Sequence, residues 1–381
     1  MTPPPRTTLD PWLEDEIRRF EPKSAIEDAW LPPSSWYIDP RFYELERETV
    51  FRTNWLVAAR RDELLGPGAY TAGVLAGEPY VVVRGADGAL RAFYNVCRHH
   101  AAQVIGDAGC ADALVCPYHG WTYGLDGRLL RAPELGAVRG FDRTQFGLVP
   151  MHVAEWGGLA FVALSEFSHR LEDELAELAR RLSDMDPQPL RFVARRRYVL
   201  QCNWKVYVDN YLDGGYHVAH LHRGLAQQLD LDSYRTEIFA RYSIQSGGGA
   251  GGAVDGQTAP TSDFAARIGD RVLYAWIYPN LMINRYGPMM DTNWVLPRSH
   301  NETEVVFDYY FTPAAADAEF VAKSLAASDV VQREDTGICE SVQQGLRSTA
   351  YDRGRYSARR EHGEFHFHRL LAQDFRARAG R

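Results

Sequence analysis

Residues 95–100, NVCRHH, and 115–127, VCPYHGWTYGLDG, decide the fold of this 381-residue chain. In them Cys97 and His99 are followed, sixteen residues later, by Cys116 and His119, giving Cys-x-His-x16-Cys-x-x-His. The pattern predicts two short loops at hairpin tips, each delivering one thiol and one imidazole. Strand-like runs surround them at Trp55–Ala59, Tyr80–Arg84, Leu90–Val96, Gly120–Tyr123 and Leu129–Arg131. The breaks at Gly85-Ala-Asp-Gly88 and Leu125-Asp-Gly127 are hairpin turns, in which glycine supplies the positive φ. A small all-β domain is expected here.

Two thiolates on one iron and two imidazoles on the other are what a Rieske-type [2Fe–2S] centre requires. Zinc uses the same ligand types, but zinc knuckles pair the two cysteines in one segment and the two histidines in another. Here they are interleaved, which favours the cluster. His100 lies beside the pattern and is not one of its ligands.

Beyond residue 165 the texture changes. Arg170–Leu182 and Trp204–Val218 read as helices, and Arg191–Leu200 reads as a strand. Residues 246–263 are Gly-rich and read as a flexible loop. Strands are expected at Val272–Pro279, Leu281–Tyr286, Thr292–Pro297 and Glu304–Phe311, then helices near Ala314–Leu346 and Glu364–Gln373. The N-terminal part is polar and Pro-rich, with helical patterns near Pro11–Phe20 and after Asp39-Pro40. The second half is therefore α+β, with an antiparallel sheet and flanking helices.

It carries a second group of metal-binding residue types. In NWKVYVDNYLDGGYHVAHLH (203–222), His217 and His222 lie five apart, one at a helix end and one just beyond it. Two histidines and a carboxylate hold non-haem Fe(II) on one face and leave positions open for O₂ and substrate. His220 is a competing neighbour. The carboxylate must come from elsewhere, and VVQREDTGICESVQ (330–343) offers Glu334, Asp335 and Glu340.

Composition removes several other classes. The net charge is −8, which argues against a nucleic-acid binder. No apolar stretch approaches the ~20 residues that a bilayer span needs. The N-terminal MTPPPRTTLD lacks the apolar core of a signal peptide. Five cysteines form no disulfide framework, so a reducing, cytoplasmic setting is expected.

The two metal motifs together resemble the Rieske non-haem iron oxygenases, the ring-hydroxylating alpha-subunit family. The wording of 203–218, 277–297, 305–310 and 351–371 is similar to choline monooxygenase and to bacterial oxygenases of quaternary ammonium compounds. The resemblance spans about residues 35 to 375. It implies an all-β Rieske domain at 46–165, a helix-grip (START-like) α+β catalytic domain at 166–381, and a segment 1–45 packing on the latter. It implies Cys97, His99, Cys116 and His119 as cluster ligands, and His217, His222 and Asp335 as iron ligands, with Glu334 the runner-up.

The family usually places an acid three residues before the first iron histidine to link the two centres. Here that position is Gly214, and the acid stands one earlier, at Asp213, as in choline monooxygenase. Asp213 and His217, four apart, are expected on one helix face. Asp213 is expected to bridge the centres, with Asp209 in support. Tyr211, Tyr216, Trp276, Tyr278, Tyr286 and Trp294 are candidates for an aromatic cage around an ammonium group.

The resemblance further implies a head-to-tail homotrimer in which His99 or His119 of one chain approaches Asp213 or Asp209 of the next. With no flavin or nicotinamide fingerprint in the chain, NAD(P)H and flavin are expected on a separate reductase or on one acting through a ferredoxin. The leading function is O₂-dependent hydroxylation of a small cationic amine. The alternatives are an aromatic-ring hydroxylase and a Rieske electron carrier without catalytic iron.

Overall fold

A computed structural model describes residues 9–165, 170–185, 188–222, 229–249, 269 and 271–379. The chain divides into two compact units, one formed by Phe51–Asp173 and the other by Met1–Val50 with Glu174–Arg381.

The 51–173 unit is built on ten strands: β1 (Leu56–Arg60), β2 (Ala69–Leu75), β3 (Glu78–Arg84), β4 (Leu90–Tyr94), β5 (Ala108–Cys110), β6 (Leu114–Val115), β7 (Thr122–Tyr123), β8 (Leu129–Arg131), β9 (Pro150–Trp156) and β10 (Leu159–Ala163). One sheet runs β1-β10-β9-β4-β3-β2-β5, and a three-stranded sheet runs β6-β7-β8. The sequence expectation omits β2, β5, β6, β9 and β10. β2 has no alternating pattern and is half-buried along most of its length, so pairing on both sides makes it a strand. β9 opens on Pro150, which is tolerated at a first strand position.

Only one of the two ligand-bearing loops sits at a hairpin tip. The loop of Cys116 joins β6 to β7, which pair. The loop of Cys97 joins β4 to β5, which do not pair with each other. Asn95 shapes it instead: its side-chain oxygen accepts from the Val104 and Ile105 amides at 3.0 and 3.1 Å, and its amide donates to the Ile105 carbonyl at 2.7 Å.

The second unit carries a seven-stranded antiparallel sheet. Its strands are β11 (Arg191–Leu200), β12 (Leu229–Ile238), β13 (Tyr242–Gly249), β14 (Arg271–Ile277), β15 (Leu281–Tyr286), β16 (Met289–Ser299) and β17 (Glu302–Phe311), in the order β11-β17-β16-β15-β14-β13-β12. Residues 246–249 of the expected Gly-rich loop belong to β13, held between β12 and β14, whereas 250–263 lie outside the described residues.

The chain also forms nine α-helices among the described residues, of which the fifth, sixth, eighth and ninth pack against this sheet. They are α1 (Pro11–Arg18), α2 (Ser35–Ile38), α3 (Pro40–Glu46), α4 (Leu171–Glu174), α5 (Ala176–Met185), α6 (Trp204–Leu212), α7 (Val218–Leu221), α8 (Ala318–Leu346) and α9 (His362–Ala379). The long helix α8 begins at Ala318 because the Asp317 side chain caps the amides of Glu319 and Phe320. The expected helix 204–218 stops at Leu212. Gly214 and Gly215 adopt φ of +69° and +73°, and a Cβ on Gly214 would lie 2.2 Å from the Arg360 carbonyl oxygen. Only glycine fits there.

A buried ion pair ties α3 to α6. Lys205 Nζ lies 2.5 Å from Glu46 Oε1, and Trp204 Nε1 donates to Glu46 Oε2 at 2.7 Å. Lys205 and Glu46 are fully buried. Burial pushes the Lys205 amine down and the Glu46 carboxyl up, each against the attraction of its partner.

Candidate active site and metal centres

The Cys97 and Cys116 loops are closed by the same backbone bonds. In each, the cysteine carbonyl accepts from the amide four residues on: Ala101 to Cys97 and Gly120 to Cys116, both at 3.0 Å. In each, the cysteine amide donates to the carbonyl five residues on, Ala102 or Trp121, both at 2.8 Å. The fourth residue is left-handed in both, with φ of +60° at Ala101 and +66° at Gly120. Two equivalent turns therefore bury both thiols and place the two imidazoles beside each other at the surface, His99 half-buried and His119 exposed.

Cys97 and Cys116 are buried within a core that includes Val81, Phe93, Leu114, Trp121 and Leu148. The His99 and His119 ring centroids are 4.7 Å apart, and His99 stacks flat on Trp121. His99 Nδ1 is buried without a hydrogen-bond partner. Burial raises the Cys116 thiol above its ordinary range. Tyr123 accepts from the Arg98 amide at 2.9 Å, and its hydroxyl faces Cys97 Sγ at 3.3 Å. Burial and that sulfur hold the Tyr123 hydroxyl above its usual range, so it stays a donor. An orphaned imidazole nitrogen, two buried unbridged thiols and a waiting donor suit a thiolate-bound cluster.

The second constellation is assembled from two helices and a turn. His217 and His222 flank the single turn α7 as its N-cap and C-cap residues. Asp335 comes from α8, and the ligand atoms of all three lie within 4.8 Å of one another. Asp335 Oδ1 is 3.0 Å from His222 Nε2 and 4.0 Å from His217 Nε2. Each ring is held from behind by a second carboxylate: Asp213 Oδ2 to His217 Nδ1 and Glu334 Oε2 to His222 Nδ1, both at 2.6 Å. These acids keep the proton on Nδ1 and leave Nε2 as the ligand atom, which suits a two-histidine, one-carboxylate iron site. Burial would lower the His222 imidazole, but Asp335 and Glu334 outweigh it and its pKa is raised.

Helix packing sets the reach of Asp335. The buried residues Ser328, Gln332, Cys339, Gln343 and Leu346 follow helical spacing along α8. On the facing helix, the Tyr207 hydroxyl donates to Gln332 Oε1 at 2.9 Å and Asn210 Nδ2 to Asp335 Oδ1 at 2.8 Å. These two bonds fix the register of α8 on α6.

Several expected placements differ. Asp213 and His217 do not share a helix face. Asp213 is the C-cap of α6, and the Gly214-Gly215 turn brings His217 back onto it, with the His217 amide also donating to Asp213 at 2.8 Å. Asp209 faces neither His217 nor His222. It accepts from the Tyr37 hydroxyl at 2.8 Å, lies 3.1 Å from His368 Nε2, and lines a second cavity with Glu364. Glu334 is a partner of His222 rather than one of the three grouped ligand atoms. Glu340 accepts from the Gln201 amide, and His220 is exposed.

A cavity of about 140 Å³ opens beside the three grouped residues. Of the six aromatic candidates, Tyr211 and Tyr286 line it. Trp276 and Tyr278 pack on Phe367 in the core, Trp294 lies under the Arg195 guanidinium, and Tyr216 is exposed. Tyr207, Tyr234, Tyr274 and Phe307 line the cavity and were not singled out by sequence. Strand alternation could have found Tyr274, which is two residues from Trp276 on β14.

Residues 54–142 match the Rieske [2Fe-2S] domain family and residues 187–375 the ring hydroxylating alpha subunit catalytic domain family. The chloroplastic choline monooxygenase of Arabidopsis thaliana is 44% identical over 367 residues, covering 93% of this chain and 85% of that protein. The carnitine monooxygenase oxygenase subunit of Escherichia coli (strain K12) is 34% identical over 368 residues, covering 92% and 95%. Among solved structures, the quaternary ammonium Rieske monooxygenase CntA in complex with L-carnitine superposes with a TM-score of 0.78 at 31% identity, covering 91% of this chain and 96% of that one. Naphthalene 1,2-dioxygenase from Rhodococcus, at 19% identity and a TM-score of 0.76, shares the fold. Two family matches in series over the two units, and relatives aligned along nearly the whole chain, lead to one conclusion: this protein belongs to the Rieske non-haem iron oxygenases and is an oxygenase with a Rieske [2Fe–2S] cluster and a mononuclear iron.

Proposed function

We propose that the enzyme hydroxylates a C–H bond of a small quaternary or tertiary amine of the choline or betaine type. The observation that carries this reading is a cavity lined by tyrosine rings and a buried carboxylate, Asp291, beside the His217–His222–Asp335 group. A trimethylammonium group has no N–H to donate, and aromatic faces with nearby negative charge are its natural partners. The named substrates of the relatives, choline and carnitine, belong to that class.

Cys97, His99, Cys116 and His119 hold the cluster, and His217, His222 and Asp335 hold the iron. When bound, the cluster delivers electrons singly and the iron activates O₂. Asp213 and Glu334 orient the two iron histidines, and the aromatic walls position substrate and exclude water. One oxygen atom enters the C–H bond and the other leaves as water, with two electrons and two protons consumed. On choline, attack at the alcohol carbon gives betaine aldehyde hydrate. Attack at an N-methyl group gives a demethylated amine and formaldehyde.

The electrons come from NAD(P)H through a separate flavin-bearing reductase, directly or by way of a ferredoxin. The working assembly is a homotrimer in which His99 or His119 approaches Asp213 of the next copy, with Asp209 in support. Two apolar surfaces fit that docking. Tyr118 and Val115 are exposed beside the cluster histidines, and Ile338, Val342 and Tyr351 are exposed around the cavity of Asp209 and Glu364. The five free cysteines suit a reducing cytoplasm. Among the described residues, no helix is long and apolar enough to cross a membrane.

The test is O₂ uptake and product formation by anaerobically purified enzyme with a surrogate reductase and NADH. Choline, glycine betaine, carnitine and stachydrine are compared with a panel of aromatic acids. Tight coupling of O₂ to product with one ammonium compound supports the reading. Coupling with an aromatic acid alone overturns it in favour of ring hydroxylation.

A further inference from the structure

Two buried amides on the walls of the active cavity are each only half satisfied. Gln245 on β13 is 1% exposed and Gln332 on α8 is 2% exposed, and both line the cavity. Gln245 Nε2 donates to the Tyr211 carbonyl at 2.8 Å. The opposite orientation would set oxygen against oxygen, so this bond fixes which end of the amide is free. Gln245 Oε1 is buried and has no hydrogen-bond partner among the described residues. The Tyr207 hydroxyl donates to Gln332 Oε1 at 2.9 Å, and Gln332 Nε2 has no partner among the described residues. Tyr207 and Tyr211 stand four apart on α6, so both amides are anchored to one stretch of that helix.

Buried polar groups are ordinarily paired, and an unpaired one is costly unless a ligand completes it. Gln245 lacks a donor and Gln332 lacks an acceptor. A hydroxyl supplies both in one group. A carboxylate supplies only the acceptor and would set its charge against Gln245 Oε1. Among the described residues that line the cavity none is a lysine or an arginine, so a carboxylate finds no side-chain cation there either. A quaternary ammonium carries no N–H, so the donor that Gln245 lacks has to come from another part of the molecule.

We propose that Gln245 and Gln332 recognise a hydroxyl on the substrate, Gln245 accepting from its O–H and Gln332 donating to its oxygen, and that they make the enzyme prefer an ammonium alcohol to an ammonium carboxylate or alkane. The inference rests on the quaternary-ammonium reading above and narrows it to one substrate class. Gln245 is the discriminating member, because a donor alone would serve a carboxylate as well. Gln332 precedes Asp335 of the metal group by about one turn of α8, so the hydroxyl end lies toward that group.

The test uses the holoenzyme with its reductase, choline as substrate and ethyltrimethylammonium, which lacks only the hydroxyl, as competing ligand. In wild type the KM for choline lies well below the inhibition constant of the analogue. Gln245→Met raises the KM for choline by about ten-fold and leaves the inhibition constant of the analogue unchanged. Gln332→Met acts in the same direction. An unchanged KM in cluster-loaded Gln245→Met, or an equal loss for choline and the analogue, overturns the assignment while leaving the proposed function intact. Wild type that oxidises glycine betaine and not choline does the same. Wild type inactive on every ammonium compound overturns both. Should Gln245→Met fail to load its cluster, Gln245→Asn, which keeps the amide and shortens its reach, carries the same prediction.

Discussion

The proposed cluster site and the proposed iron site solve the same problem, holding a metal with a few side chains, by different means. The cluster loops span 97–119 and are shaped by their own backbone: the same two hydrogen bonds close each turn, and the ligands follow from the turns. The iron site joins His217 and His222 to a carboxylate 113 residues further along, and its geometry depends on how α8 lies on α6. The cluster site is therefore local and rests on backbone conformation, whereas the iron site is distributed and rests on helix packing and on acids behind its ligands. Mutations should separate the two.

The largest effects fall on the ligands. His217→Ala or Asp335→Ala should abolish turnover, a loss of about a thousand-fold or more, while the visible absorbance of the cluster persists. Cys116→Ala should bleach that absorbance. Retained turnover in His217→Ala would break the assignment of the iron site, and a retained visible spectrum in Cys116→Ala that of the cluster.

The supporting acids come next. Glu334→Gln and Asp213→Asn keep size but remove the charge that holds Nδ1, and each should cost about 10- to 100-fold in iron affinity or activity. Iron titration of protein with an intact cluster reads this directly. Equal affinity in both variants would mean that packing alone orients the rings.

Dependence on helix packing is tested at Lys205. Lys205→Met leaves Glu46 buried without its cation, at a cost of about 3–5 kcal/mol. Thermal melting should show the loss, with iron released at a lower temperature than the cluster. Simultaneous release would erase the distinction between a local and a distributed site.

The smallest change sharpens the local side. Ala101 holds the left-handed position that glycine occupies in the matching loop. Ala101→Gly should stabilise the cluster loop by about 0.5–1 kcal/mol, seen as slower cluster loss on heating.

The same contrast explains what could be read from sequence. The grouping of Cys97, His99, Cys116 and His119 was legible because a local site writes its spacing into the chain. Asp335 was one of three acids in its segment, and resemblance to the family, not spacing, selected it. The spacing of four pointed to Asp213 as a partner of His217, which the structure shows, but not to the turn that brings them together, and the role of Glu334 was not legible. The Gly214-Gly215 turn folds His217 back onto Asp213, and no periodicity reports that a helix will stop and reverse. The sheet of the second unit was largely anticipated from β11 and β14 to β17. β12 and β13 were missed, since LDLDSYRTEI is polar and YSIQSGGG ends in glycines, and only pairing with neighbours makes them strands. Of the cavity's aromatics, sequence could not separate Tyr286, which faces the cavity, from Trp294, which does not.

The central claim is two independent metal sites in one chain, and an iron count tests it most directly. Anaerobically reconstituted wild type should bind three irons per chain, two in the cluster and one at the mononuclear site, and His217→Ala should bind two with an unchanged cluster spectrum. Two irons in wild type, or three in His217→Ala, would contradict the account.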